Sequence, residues 1–161
     1  MKILIIGIVA SGKTTLAKRL SKENKINYYE IDSIVHDDIK NKKRTDEEQK
    51  KIINKINEQA NWIIEGTLRK NLYYLLNMAD KIIYLDIPLH IRKRRILFRY
   101  IKQKLKIEQC NYKPNIKMLK KMYKWTKEFE DTQNDFEKEL LVYNKKAIKL
   151  KNKNQIKKFK L

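Results

Sequence analysis

The stretch GIVASGKTT, residues 7 to 15, constrains this chain more than any other. Gly7 to Thr14 fits the pattern G-x-x-x-x-G-K-[ST], with the flanks that pattern requires: the apolar run KILIIG before it and helical spacing through Leu16 and Leu20 after it. Its glycines permit a turn whose successive backbone N–H groups point inward at an anion, and the start of a helix adds partial positive charge. Gly7, Ala10, Ser11, Gly12, Lys13, Thr14 and Thr15 are therefore expected to line a nucleotide's phosphates. Lys13 would reach the outer phosphates and Thr14 would bind Mg²⁺ through its hydroxyl, so ATP and Mg²⁺ are the expected cofactors.

The rest of the chain alternates strands and helices. Strands are expected at 2–7, 26–31, 61–66, 81–88 and 147–150, with helices at 13–23, 46–58, 72–78, 92–106 and 116–143, and a short closing helix. Pro88 stops the fourth strand and suits the first turn of the helix that follows. That helix has one cationic face, through Arg92, Arg95, Arg99, Lys102 and Lys106, and an apolar flank of Leu97, Ile101 and Leu105. The helical pattern breaks at CNYKPN, residues 110 to 115. Five alternations argue for a three-layer α/β fold around a five-stranded parallel sheet. With 161 residues and no repeat or linker, we read one domain, residues 1–161.

Apolar runs are four to seven residues long, too short to span a membrane, and a soluble, cytoplasmic monomer or weak dimer is expected. One cysteine, Cys110, and two histidines, His36 and His90, cannot make an internal disulfide or a four-ligand zinc site. The formal charge of +20 invites a nucleic-acid partner, but abundant lysine on solvated faces needs none. Arginine is more informative. Five of its seven occurrences fall between Arg69 and Arg99, and a planar guanidinium matches phosphate oxygens, which makes this a candidate phosphate-binding cluster.

Nucleotide binding leaves a switch, a motor or a transferase. The guanine-reading Asn-Lys-x-Asp is missing: NKK at 41–43 and NKKA at 144–147 lack the acid. Asp86 ends an apolar strand but has no second acid after it to activate water, so it reads as a strand-end or helix-cap carboxylate. Transfer remains.

EGTLR, residues 65 to 69, resembles the Asp-Gly-Phe-Pro-Arg signature that ends the third strand of adenylate kinases, and KIIYLDIP followed by Arg95 and Arg99 resembles the strand and paired arginines preceding their lid. Over nearly the whole chain the closer resemblance is to the small bacterial adenylate-kinase-like group known as DNA topology modulation proteins. This implies a P-loop nucleotide-kinase fold with a helical lid at about 95–125, and phosphate-clamping roles for Arg69, Arg95 and Arg99. It departs from that group in its post-lid helix, where KKMYKWTKEFED replaces an arginine-rich segment. Glu65 is the candidate magnesium-water ligand or base. Asp32, after the second strand, resembles the acid that holds the acceptor hydroxyl in shikimate kinases. Asp32 argues for an acceptor with a neutral hydroxyl, whereas Arg69 argues for one that already carries phosphate.

Two functions are therefore expected in competition. The favoured one is a Mg·ATP-dependent kinase moving the γ-phosphate to a small hydroxyl or phosphate acceptor, a nucleoside or nucleoside monophosphate, with Lys13, Asp32, Glu65, Arg69, Arg95 and Arg99 as catalytic residues and Thr14 and Glu65 at the metal. The alternative is a nucleotide-sensing nucleic-acid-binding protein that modulates DNA topology; its weakness is the lack of any helix-turn-helix, RNA-recognition or zinc-finger pattern.

Overall fold

A computed structural model describes residues 1–37, 39–107 and 115–161. Five parallel strands form the central sheet: β1 (Lys2–Gly7), β2 (Tyr28–Glu30), β5 (Trp62–Gly66), β6 (Lys81–Leu85) and β7 (Ala147–Leu150), in the order β2-β5-β1-β6-β7. Between them run α1 (Lys13–Asn24), α2 (Ile31–Val35), α3 (Asp46–Asn57), α4 (Tyr74–Met78), α5 (Leu89–Lys104) and α6 (Ile116–Leu141), and α7 (Lys153–Lys158) follows β7. A two-residue ribbon, β3 (His36–Asp37) with β4 (Lys42–Lys43), and a 3₁₀ turn at Lys70–Leu72 complete the described elements.

The period of two along each strand divides the core. Leu4, Ile6, Ile64, Ile82 and Tyr84 face one side, where Ile31 and Val35 of α2, Ile53 of α3, Leu75 and Leu76 of α4 and Leu140 of α6 cover them. Ile3, Ile5, Ile63, Ile83 and Leu85 face the other, against Leu16, Ala17 and Leu20 of α1. Both faces are covered, which is why these strands read as unbroken aliphatic runs. Among the described residues, no helix is long and apolar enough to cross a membrane.

Several boundaries differ from expectation. The second strand is only three residues long, because Ile31 already turns into α2. Arg44 holds that short helix by donating from Nη1 to the carbonyls of Ser33, Ile34 and His36 at 2.6, 3.1 and 2.6 Å, supplying donors that its C-terminal turn otherwise lacks. A capping box between Thr45 and Glu48 then starts α3. The fourth strand stops at Leu85, and Pro88 is the N-cap of α5 rather than a residue of its first turn.

The larger correction concerns α5. The expected apolar flank is outside: Leu97, Ile101 and Leu105 are 44, 42 and 64% exposed. What α5 buries is Arg92 and Ile96, on a stripe that continues through Arg99 to Gln103 at helical spacing and faces Met118, Leu119 and Met122 of α6. Asn115 caps α6 by accepting from the Met118 N–H at 2.8 Å. The remainder of the expected break, with Cys110, lies outside the described residues, as does part of the expected lid.

Candidate active site

The parallel register brings the chemistry to one edge of the sheet. Glu65 pairs in register with Ile5 on one side and Glu30 on the other, so the strand tops present two carboxylates beside the turn that leaves β1. That turn holds Ala10 at φ 61° and Gly12 at φ 103°, left-handed conformations that let consecutive N–H groups converge, and Gly12 caps the start of α1. Thr15 lies exposed in the first turn of α1.

The loop's polar side chains fit a bound polyanion. Ser11 is fully buried, and its Oγ has no hydrogen-bond partner among the described residues. Lys13 donates from Nζ to the Ile8 carbonyl at 3.0 Å, a weak substitute for phosphate oxygens. Burial pulls the Lys13 pKa down; Glu65 and Asp32 oppose that pull, and Arg99 adds to it. Arg99 itself is exposed on α5.

Thr14 Oγ1 donates to Glu65 Oε1 at 2.5 Å, which joins the two residues expected at the metal. Glu65 is 3% exposed; burial raises its pKa, while the Thr14 hydrogen bond and Lys13 lower it. Among the described residues no group of three His, Cys, Asp or Glu side chains could hold a metal. That donor set fits Mg²⁺, which keeps several waters and binds through one or two protein oxygens plus substrate phosphates.

Arginines divide by role in a way that sequence spacing did not show. Arg69 Nη2 reaches Asp32 Oδ1 at 3.4 Å, so the two residues that argued for opposite acceptors pair with each other. Arg95 donates from Nη1 to the carbonyls of Ala10 and Ser11 at 3.1 and 2.9 Å, which ties α5 to the loop. Arg92 drops out of the phosphate-binding cluster. It is 2% exposed, donates from Nε to the Ile87 carbonyl at 2.7 Å and pairs through Nη2 with Glu130 of α6. Arg94 is exposed. Asp86 is a strand-end carboxylate, directly after β6; it accepts from Gln133 Nε2 at 3.0 Å and pairs with Lys149 at 3.1 Å rather than capping α5.

Two features escaped sequence reasoning. Thr67 Oγ1 donates to the Gly7 carbonyl at 3.2 Å and ties the end of β5 to the phosphate loop across 60 residues. Beside it, a cavity of about 270 Å³ is bounded by the segment after β5, by Tyr73 and by α6. The spacing of Phe129, Thr132, Phe136 and Glu139 marks a helical stripe, but nothing local says what that stripe faces.

The sequence profile of a family described as AAA domain (AAA_18) matches residues 3–114. The chain belongs to this AAA domain family. It is 32% identical over 117 residues to a cytidylate kinase of Sulfolobus acidocaldarius, covering 62% of this chain and 62% of that protein. A shikimate kinase of Clostridium botulinum is 28% identical over 138 residues, or 76% of this chain and 78% of that one. The deoxyadenosine kinase of M. mycoides, solved with bound dATP, superposes with a TM-score of 0.52 at 19% identity, covering 98% of this chain and 95% of that one. These matches and the sheet order agree on the α/β nucleotide-kinase fold.

Proposed function

We propose that the protein is a Mg·ATP-dependent kinase that moves the γ-phosphate to a small hydroxyl or phosphate acceptor, a nucleoside or nucleoside monophosphate. The observation that carries this reading is the convergence of two halves at one sheet edge: the phosphate loop with the Thr14–Glu65 contact, and the Asp32–Arg69 pair at the ends of β2 and β5. The kinase names of the relatives support it, and they lend no support to the DNA-architecture reading.

In this reading the loop amides and Lys13 hold the β- and γ-phosphates, and Arg99 neutralises charge on the transferring group. Thr14, with Glu65 acting through water, would hold a magnesium ion, which would supply positive charge to offset that of the phosphates. Arg95 braces the Ala10 and Ser11 carbonyls, which keeps the loop amides aimed inward. Asp32 orients the acceptor hydroxyl and takes its proton as the new O–P bond forms, while the bond from Pγ to the bridging oxygen breaks and ADP leaves. The buried Glu65 and half-buried Lys13 sit where partial exclusion of water strengthens their own contacts, whereas Asp32 and Arg99 are exposed.

Incubating the protein with γ-labelled ATP and a panel of nucleosides, monophosphates and small alcohols tests the reading. A labelled acceptor that disappears in Lys13→Ala supports it; ATP consumption with label found only in inorganic phosphate refutes it.

A further inference from the structure

Resting on the kinase reading, the cavity beside the phosphate loop identifies the class of acceptor. It includes Gly7, the first residue of the loop, together with Thr67 and Leu68, which directly follow the strand carrying Glu65. Arg69 lies between Leu68 and Lys70, two lining residues, and reaches Asp32. The cavity therefore adjoins the phosphate loop, while Arg69 and Asp32 lie outside its lining. Its volume of about 270 Å³ is near the lower end of small-ligand sites, enough for one sugar and one ring.

The far wall is aromatic. Tyr73 and Phe129 flank Phe136, with ring centroids 6.5 and 6.1 Å from it, and all three line the cavity. Such a wall suits a planar ring, which every base offers.

The charges on α6 decide the rest. In a chain of net charge +20, the cavity lining among the described residues holds two acids, Asp135 and Glu139, and one cation, Lys70, all of them exposed. Glu139 faces the Tyr73 hydroxyl, and burial together with this carboxylate pushes the Tyr73 pKa up to about 12, so the hydroxyl stays neutral and hydrogen-bonding. Asp135 also meets Lys138 at 3.3 Å, but with 75 and 81% of these side chains exposed that pair is screened by solvent and leaves carboxylate oxygen free to accept. Arg69, the cation expected to meet an acceptor phosphate, is not among the lining residues; it meets Asp32 at 3.4 Å in a pair whose side chains are 36 and 75% exposed. A dianionic phosphate here would meet two exposed carboxylates and one exposed lysine, a net repulsion moderated by solvent; a ring bearing N–H groups would find acceptors in the same carboxylates.

We infer that the acceptor is a nucleoside rather than a nucleoside monophosphate, its base against Phe129 and Phe136 and its amino group turned to Asp135 and Glu139. The acidic wall selects against acceptors that carry phosphate.

The full chain is assayed with γ-labelled ATP against adenosine, deoxyadenosine and cytidine, each paired with its 5′-monophosphate. For the nucleosides accepted, kcat/KM should exceed that of the paired monophosphate about tenfold or more. Asp135→Asn combined with Glu139→Gln should raise the nucleoside KM about fivefold with the ATP KM and thermal midpoint unchanged, and should narrow the discrimination against the monophosphate. A merely structural role for the acids would move the midpoint and spare the acceptor KM. Preferential labelling of monophosphates, or an unchanged nucleoside KM in the double variant, overturns the inference and leaves the kinase reading standing. Label on no acceptor at all brings down both.

Discussion

Gly66 joins the fold to the site, and replacing it with alanine is the most direct probe of that joint. A Cβ built on Gly66 lies 2.5 Å from Ile31 Cβ, 3.0 Å from its Cγ1 and 3.1 Å from its Cδ1. The closest atom is the branch point of a fully buried side chain, so no rotamer change relieves the contact, and α2 must shift away from β5. Overpacking of this kind costs about 3 kcal/mol, and the lower conformational entropy of alanine in the unfolded chain returns about 0.5–1. A net loss of about 2 kcal/mol should lower Tm by roughly 4–8 °C in a chain of this size. Urea unfolding should show it as a lower midpoint at an unchanged slope. A double-mutant cycle with Ile31 locates the cause. Ile31→Gly removes the clashing Cβ and should reduce the cost of Gly66→Ala by at least about 1 kcal/mol, whereas Ile31→Ala keeps that atom and should spare little of it. Because Asp32 follows Ile31, Gly66→Ala should also raise the acceptor KM. A Gly66→Ala midpoint within ~0.5 kcal/mol of wild type, or equal relief from both Ile31 variants, would refute the packing argument.

Four further outcomes are expected. Lys13→Ala should lower kcat for γ-phosphate transfer about 10²–10³-fold, measured by single-turnover assay with labelled ATP, with little change in Tm. Burial raises the Glu65 pKa, so the stability it permits is full below the unfolded carboxylate pKa and is lost as pH rises through the folded one. Glu65→Gln should therefore match wild type in acid and exceed it at neutral pH in urea titrations, while losing activity; a wild-type advantage that grows with pH would contradict this. Glu130→Ala should cost about 2 kcal/mol, less than a fully buried pair because Glu130 is 37% exposed, whereas Arg92→Met should stay within about 1 kcal/mol of wild type, as denaturant midpoints will show. Arg95→Met should raise the ATP KM more than the acceptor KM in steady-state kinetics, since it frees the Ala10 and Ser11 carbonyls.

What could be read from sequence was local. The phosphate loop is nine consecutive residues, so its amides, lysine and threonine are neighbours whatever the rest of the chain does. β1 and β7 were legible to the residue and β5 and β6 nearly so, because strands covered on both faces write themselves as aliphatic runs; the short edge strand β2 was overdrawn at both ends. Partnership was not legible. Thr14 meets Glu65 from 51 residues away and Arg69 meets Asp32 from 37, and only the strand order brings them together. The α5 pattern was correctly helical, yet periodicity ranks faces without naming the neighbour: α6 took the stripe with Arg92 and Ile96 and left Leu97, Ile101 and Leu105 outside. The same applies to Phe129, Phe136 and Glu139. By itself, then, the sequence determined a glycine-lysine loop that leads from a strand into a helix of an α/β fold, because those features need only adjacent residues. The tertiary structure decided which arginine meets Asp32, which meets the loop carbonyls and which is buried against Glu130, because each depends on contacts between elements that no local pattern encodes.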